Sequence, residues 1–192
     1  MRIRLHLGCG KRYIDGFVHV DLDDFPHIDY RHDIAELPMF ENSSVELIYC
    51  CHAFEHLERQ QAPQVLREWW RVLEPGGTLR LAVPDFDALI EVYRCTGELS
   101  SIIGPLYGRF VAGDVPGGYL YHKHKTAYNF DDLQAMLEAA GFTNVHRYDW
   151  RQTIHRDYDD YSQAYFPHMD KENGLLISLN VEATKDGGAK AA

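Results

Sequence analysis

Three groups of residues in this chain have the types and spacing to do chemistry. The first is Leu5-His6-Leu7-Gly8-Cys9-Gly10-Lys11-Arg12, where glycine at 8 and 10 strips side chains from a turn that follows an apolar run. A ligand can lie directly against such backbone. The second is Asp21, an acid at the end of the next apolar run, Phe17 to Leu22. A carboxylate there can accept both hydroxyls of a ribose. The third is His52-Ala53-Phe54-Glu55-His56, which fits the H-x-x-E-H pattern of inverted zinc proteases. On a helix, histidines four apart share a face, with the glutamate near enough to act as a base. Each group also has a plainer reading: a tight turn, a solvated acid, and residues bracing a strand-to-helix turn. The zinc reading lacks a convincingly spaced third ligand and follows a buried strand directly. No metal is expected.

The elements that must position these residues alternate in type. Arg2 to Leu7, Phe17 to Leu22, Val45 to Cys51 and Thr78 to Val83 read as strands. Val45 to Cys51 is nearly all apolar, which suits a strand buried on both faces. A helix runs from Pro63 to Leu73 on the spacing of Val65, Leu66, Trp69, Trp70 and Val72. It stops at Glu74-Pro75-Gly76-Gly77. Asp85 can cap a helix over about 86–94, and Phe130 to Ala140 is a helix closed by Gly141. Val145 to Trp150 and Leu175 to Ala183 read as the last two strands. Alternating strands and helices imply a doubly wound parallel sheet, which binds ligands outside the carboxyl ends of its strands. One domain over 1–184 is expected, with loop-rich segments at about 97–129 and 151–173 on the acceptor side. A small, polar tail fills 185–192.

Composition narrows the function. The 192 residues are 45% hydrophobic and 25% charged, as in an ordinary globular domain. No apolar run approaches the roughly 18 residues of a membrane helix, and no signal peptide is legible. A formal net charge of −10 repels phosphate backbones, so nucleic acid is not the expected partner. Cys9, Cys50, Cys51 and Cys95 show no paired spacing and read as reduced thiols of a cytoplasmic protein.

Glycine turn and acid are shared by dinucleotide and S-adenosylmethionine sites. A dinucleotide site needs a third glycine and a full helix whose N-terminus faces the pyrophosphate. Here Arg12 holds the third glycine position, and only about one helical turn fits between Gly10 and Phe17. The step from glycines to acid is also well short of the roughly 20 residues of a dinucleotide site. S-adenosylmethionine carries no phosphate and can do without that helix, which disfavours a nicotinamide oxidoreductase.

The chain resembles the class I S-adenosylmethionine-dependent methyltransferases. The resemblance rests on LHLGCG (Leu5 to Gly10), VDL (Val20 to Leu22), HDIAELP (His32 to Pro38), SSVELIYCCHAFEHL (Ser43 to Leu57) and VLREWWRVLEPGGTLRLAVPD (Val65 to Asp85). It covers roughly Arg2 to Val83, and more loosely runs on to Ala183. It looks closest to small members with a shortened first helix, a group linked to surface-glycan pathways. The resemblance implies a Rossmann-like, mostly parallel seven-stranded sheet with its last strand antiparallel. It places Gly8, Cys9 and Gly10 along the methionine part of the cofactor, Asp21 on the ribose and Leu22 on the adenine. It puts Asp33 at the adenine amino group and the Ile34 N–H at the ring. Cys51 and His52 would edge the amino acid end, and Phe54 would wall the pocket. His6 stands where many relatives have an acid that reaches the cofactor's ammonium, and Glu46 replaces a more usual aspartate.

The expected activity is methyl transfer to a small-molecule or glycan-related acceptor. A non-catalytic module that keeps the fold is the alternative. Candidate bases are His52, Glu55 and His56 after the strand ending at Cys51, Asp85 after the next, and His122 within Tyr119 to His124.

Overall fold

The structure, a computed structural model, describes residues 2–108 and 123–187. The strands are β1 (Ile3–Leu7), β2 (Val18–Asp21), β3 (Tyr30–Arg31), β4 (Val45–Cys51), β5 (Leu73–Pro84), β6 (Phe142–Arg147), β7 (Tyr165–Phe166), β8 (Leu175–Leu176) and β9 (Ser178–Lys185). The helices are α1 (Ala62–Val72), α2 (Phe86–Thr96), α3 (Ser100–Tyr107) and α4 (Phe130–Ala139). Seven strands form one sheet in the order β3-β2-β1-β4-β5-β9-β6. The first five pair in parallel, while β9 runs antiparallel to both β5 and β6. The expected mostly parallel sheet with an antiparallel last strand is present. β7 and β8 form a separate ribbon.

Side-chain alternation divides the sheet into two unlike faces. One carries Leu5, Leu7, Val20, Ile48, Cys50, Leu79, Leu81, Val181 and Ala183 and packs against α1 and α4 in the main apolar core. α1 contributes Val65, Leu66, Trp69 and Val72, the residues whose spacing marks it as a helix. The other face carries His6, His19, Tyr49, Arg80 and Asn180. Both faces of β4 are buried, as its apolar run anticipates. The second face is covered without a long helix. Between Gly10 and Phe17 the chain makes turns only, less than the single helical turn expected. Ile14 and Phe17 pack there beside Tyr49. The segment 149–163 closes over the rest, through a Tyr49 hydroxyl donating to Asp160 at 2.6 Å and an Asn180 amide donating to the Ser162 carbonyl at 2.8 Å.

Three expected strands differ in their bounds, and the first is β5, which starts at Leu73, ahead of the expected Thr78. β6 starts at Phe142, three residues before the expected Val145, and ends at Arg147. It is an edge strand with mostly exposed residues, so it carries no apolar alternation to read. The expected strand from Leu175 to Ala183 is two strands. It breaks at Ile177, whose N–H donates to Ala164 O and whose carbonyl accepts from Asp85 N, each at 2.9 Å. β9 then runs on to Lys185, the first residue of the expected tail. The Lys185 ammonium is buried, donating to the Leu73 carbonyl at 2.7 Å and lying 4.0 Å from the Trp70 ring centroid.

Candidate active site

A cavity of about 1020 Å³ opens at the carboxyl ends of the parallel strands. That is ample for a nucleoside cofactor together with a small second molecule. It extends from Gly8, Gly10 and Asp21 at one end to His56, His124 and Lys125 at the other.

The two glycines do different work. Gly8 has φ +63°, and a Cβ there would meet the Ala53 Cβ at 2.3 Å. It lets the end of β1 press against the turn after β4. Gly10 has φ +54° with nothing within 4 Å of a Cβ, so its bare face borders open cavity. Its N–H donates to Asp21 Oδ2 at 2.7 Å, and Asp23 N–H donates to Asp21 Oδ1 at 2.9 Å. Asp21 is 8% exposed. Two backbone donors leave about two of its four acceptor positions for a diol. The carboxylate thus holds the glycine turn and faces the cavity at once.

Leu22, Asp33 and Ile34 line the same end, with Leu22 exposed at 46%. Asp33 also accepts from Ala35 N at 2.9 Å, so it caps its own turn as well as facing the cavity. Cys9 lines the wall, its thiol pushed up to about 12 by burial and then by the charges of Asp21 and Asp29. Burial raises the Cys51 thiol too. Both are neutral at ordinary pH and supply surface, not a nucleophile.

Cys51 and His52 border the middle of the cavity. His52 takes a left-handed backbone with φ +51°, uncommon for a residue with a Cβ. Its ring spans two partners, Ser178 Oγ at 3.1 Å from Nε2 and Glu55 Oε1 at 3.3 Å from Nδ1. Glu55 is fully buried behind the wall. Burial pushes its carboxyl pKa up, but His52, then His56 and His124, outweigh this and hold it below the usual range. His56 and His124 line the far end with ring centroids 4.9 Å apart.

Several expected positions move. Phe54 does not wall the pocket: it is fully buried in the core, 5.5 Å between ring centroids from both Trp69 and Tyr128. Asp85 is no base. Its carboxylate caps α2 through the Asp87 and Ala88 N–H groups and pairs with Arg147 at 2.8 Å. Glu55 does not line the cavity either, and reaches it only through the histidines. His6 faces the opposite side of the sheet, stacked on Tyr49 at 5.3 Å, so its place cannot serve a cofactor ammonium. His122 lies outside the described residues.

The cavity also gains residues that sequence reading missed. Tyr161 lines it from the segment over the second face, Tyr165 from β7 and His168 and Met169 from the turn after β7, and Arg12 sits 4.4 Å from the centroid of the Tyr161 ring. In the sequence Arg12 stands out only as the residue at a third glycine position. No local pattern marks the others, because a loop of aromatic and polar residues has no period that points inward.

Mostly parallel sheet, bare glycine turn and an acid at the end of the neighbouring strand make a Rossmann-like nucleoside-binding arrangement. Residues 17–81 match the methyltransferase domain family. The ubiquinone/menaquinone biosynthesis C-methyltransferase of Cronobacter sakazakii is 30% identical over 140 residues, 69% of this chain and 53% of that protein. The chain thus spans about half the length of the curated relatives it matches. The matched segment and the relative together support a class I S-adenosylmethionine-dependent methyltransferase. Solved structures agree on the fold. A methyltransferase of Thermotoga maritima superposes with TM-score 0.56 at 13% identity, covering 96% of this chain and 82% of its own. The 1,6-didemethyltoxoflavin-N1-methyltransferase of Burkholderia thailandensis, solved with S-adenosylhomocysteine, gives 0.56 at 13%, covering 96% and 71%. No helix among the described residues is long and apolar enough to cross a membrane.

Proposed function

We propose that this chain transfers the methyl group of S-adenosylmethionine to a small-molecule acceptor, glycan-derived acceptors included. One observation carries the reading: a single cavity joins the Gly10–Asp21 crevice to a pocket lined by His52, His56 and His124. In this reading adenosine lies against Leu22 and Ile34, Asp21 takes the ribose hydroxyls, and the methionine part passes Gly10 toward Cys51 and His52. The sulfonium supplies the electrophilic methyl. The protein's task is alignment, which can contribute up to roughly 7–11 kcal/mol. An acceptor lone pair attacks the methyl carbon as its bond to sulfur breaks. S-adenosylhomocysteine leaves, and a proton released from the acceptor passes to His52, the cavity-lining base nearest the middle.

Thermal unfolding tests the cofactor assignment. Saturation at 100 times the dissociation constant should stabilise the protein by about 2.7 kcal/mol. S-adenosylhomocysteine should raise the midpoint and NADH should not, since the turns between Gly10 and Phe17 offer no helix N-terminus to a pyrophosphate. A rise with NADH alone would end this reading.

A further inference from the structure

Glu55 presents a problem of charge. It is fully buried, and neither carboxylate oxygen has a hydrogen bond of good geometry among the described residues. What faces it are imidazoles: His52 Nδ1 at 3.3 Å and His124 Nε2 at 3.7 Å. The His124 Nδ1 lies 2.9 Å from the Pro105 carbonyl oxygen. A carbonyl can only accept, so Nδ1 carries a proton, and in the neutral ring Nε2 then turns its lone pair toward Glu55. Lone pair against carboxylate is repulsive. A cation between them reverses the sign.

We propose that Glu55, His56 and His124 bind one divalent transition-metal ion of the zinc class at the histidine-lined end of the cavity. One ligand atom from each lies within 4.8 Å of the other two. Around a tetrahedral zinc with ligands at about 2.1 Å, neighbouring ligand atoms sit about 3.4 Å apart, within reach of small side-chain rotations. His56 repeats the pattern of His124, its Nδ1 being 3.1 Å from the Lys123 carbonyl. Metal-ligating histidines commonly donate their second ring N–H to a backbone carbonyl, which orients the ring and settles the tautomer. Two imidazoles and one carboxylate are a zinc-type donor set that leaves a coordination position open.

The motif His52-x-x-Glu55-His56 suggested zinc but with the wrong membership. Phe54–His56 is a single 3₁₀ turn, not an α-helix, so His52 and His56 do not share a helical face. His52 turns its Nε2 to Ser178 instead. The missing ligand comes from far along the chain. The Lys125 N–H donates to the Glu55 carbonyl at 2.8 Å and pins 123–125 over the turn, delivering His124. His56 and His124 line the cavity, so the open position faces the space where an acceptor would bind. An acceptor oxygen or nitrogen is the fitting fourth ligand.

Calorimetric titration of chelator-treated protein with zinc chloride tests this without any cofactor. One equivalent should bind. His124→Ala and Glu55→Gln should each weaken it at least about tenfold. His146→Ala, on the exposed edge strand, should leave it unchanged. Absence of stoichiometric binding to the wild-type protein would overturn the proposal, with a proton then holding Glu55 and His124 together. So would wild-type affinity in His124→Ala, an equal loss in His146→Ala, or displacement of zinc by equimolar magnesium. S-adenosylhomocysteine binding, measured on the same preparation, reports separately on the cofactor reading.

Discussion

Asp21 shows how one side chain can serve structure and ligand together. Its two oxygens each accept a backbone N–H, from Gly10 and Asp23, and still border the cavity. Alanine at 21 would release the glycine turn as well as the diol, so the two roles could not be separated. Asparagine keeps the shape and one acceptor while removing the charge. Hydrogen bonds to a charged group contribute roughly 1.5–3 kcal/mol. Asp21→Asn should therefore weaken S-adenosylhomocysteine binding by about 10- to 100-fold by calorimetry, with the far-ultraviolet spectrum of the folded protein retained. Unchanged affinity would take Asp21 out of the site. Asp21 was legible because strand and acid are adjacent in sequence. Phe54 and Asp85 were misread because their partners, Trp69 and Arg147, are distant along the chain.

At the scale of elements, the turn after β1 couples packing to binding. Gly8 and Gly10 both have positive φ, but only Gly8 touches protein where a Cβ would be. Gly8→Ala must displace Ala53 and with it the start of the β4–Phe54 turn. It should destabilise the protein by about 2–4 kcal/mol. Gly10→Ala adds a methyl to open cavity at the cost of backbone strain alone, about 1 kcal/mol. Urea unfolding should rank Gly8→Ala well below Gly10→Ala. Calorimetry of the Gly10→Ala protein should show the larger loss of cofactor affinity per unit of lost stability. The reverse ranking would contradict the packing described for Gly8. The two glycines look alike in sequence, and only their surroundings tell them apart.

Across the whole molecule, the sheet's second face is unusual in being sealed by a polar segment over buried histidines. His6 and His19 lie on this face and His155 reaches down from the cover onto Tyr49, all three buried. Burial lowers the pKa of each, well below the usual value for His6 and to about 4 for His155, where Arg80 adds to the effect against Asp160 and Glu182. His19 Nε2 accepts the Ile14 N–H at 3.0 Å, a bond lost on protonation. These rings stay neutral in the folded state and protonate first in the unfolded chain, whose histidines titrate near about 6.5. Below that value the unfolded state binds more protons, so stability falls as pH drops below about 6.5, for His155 until about 4 and there by up to about 1.4 kcal/mol per unit. Above about 6.5 these groups add no pH dependence. The urea midpoint should be clearly lower at about pH 5 than at about pH 7. A flat profile across that window would mean that the three rings are solvated.

Local patterning alone settled much of this protein: the strand ends that carry Gly8, Gly10 and Asp21, the apolar stripe of α1, and the absence of a full first helix. Each is written in consecutive residues, because strand alternation, helical spacing and turn chemistry act over a few positions. Tertiary structure decided the rest. It buried Phe54 in the core, tied the capping Asp85 to Arg147, laid Tyr161 and Tyr165 over the cavity, and brought His124 to Glu55 and His56. Those outcomes depend on which distant segments the chain folds against, and no periodicity records that.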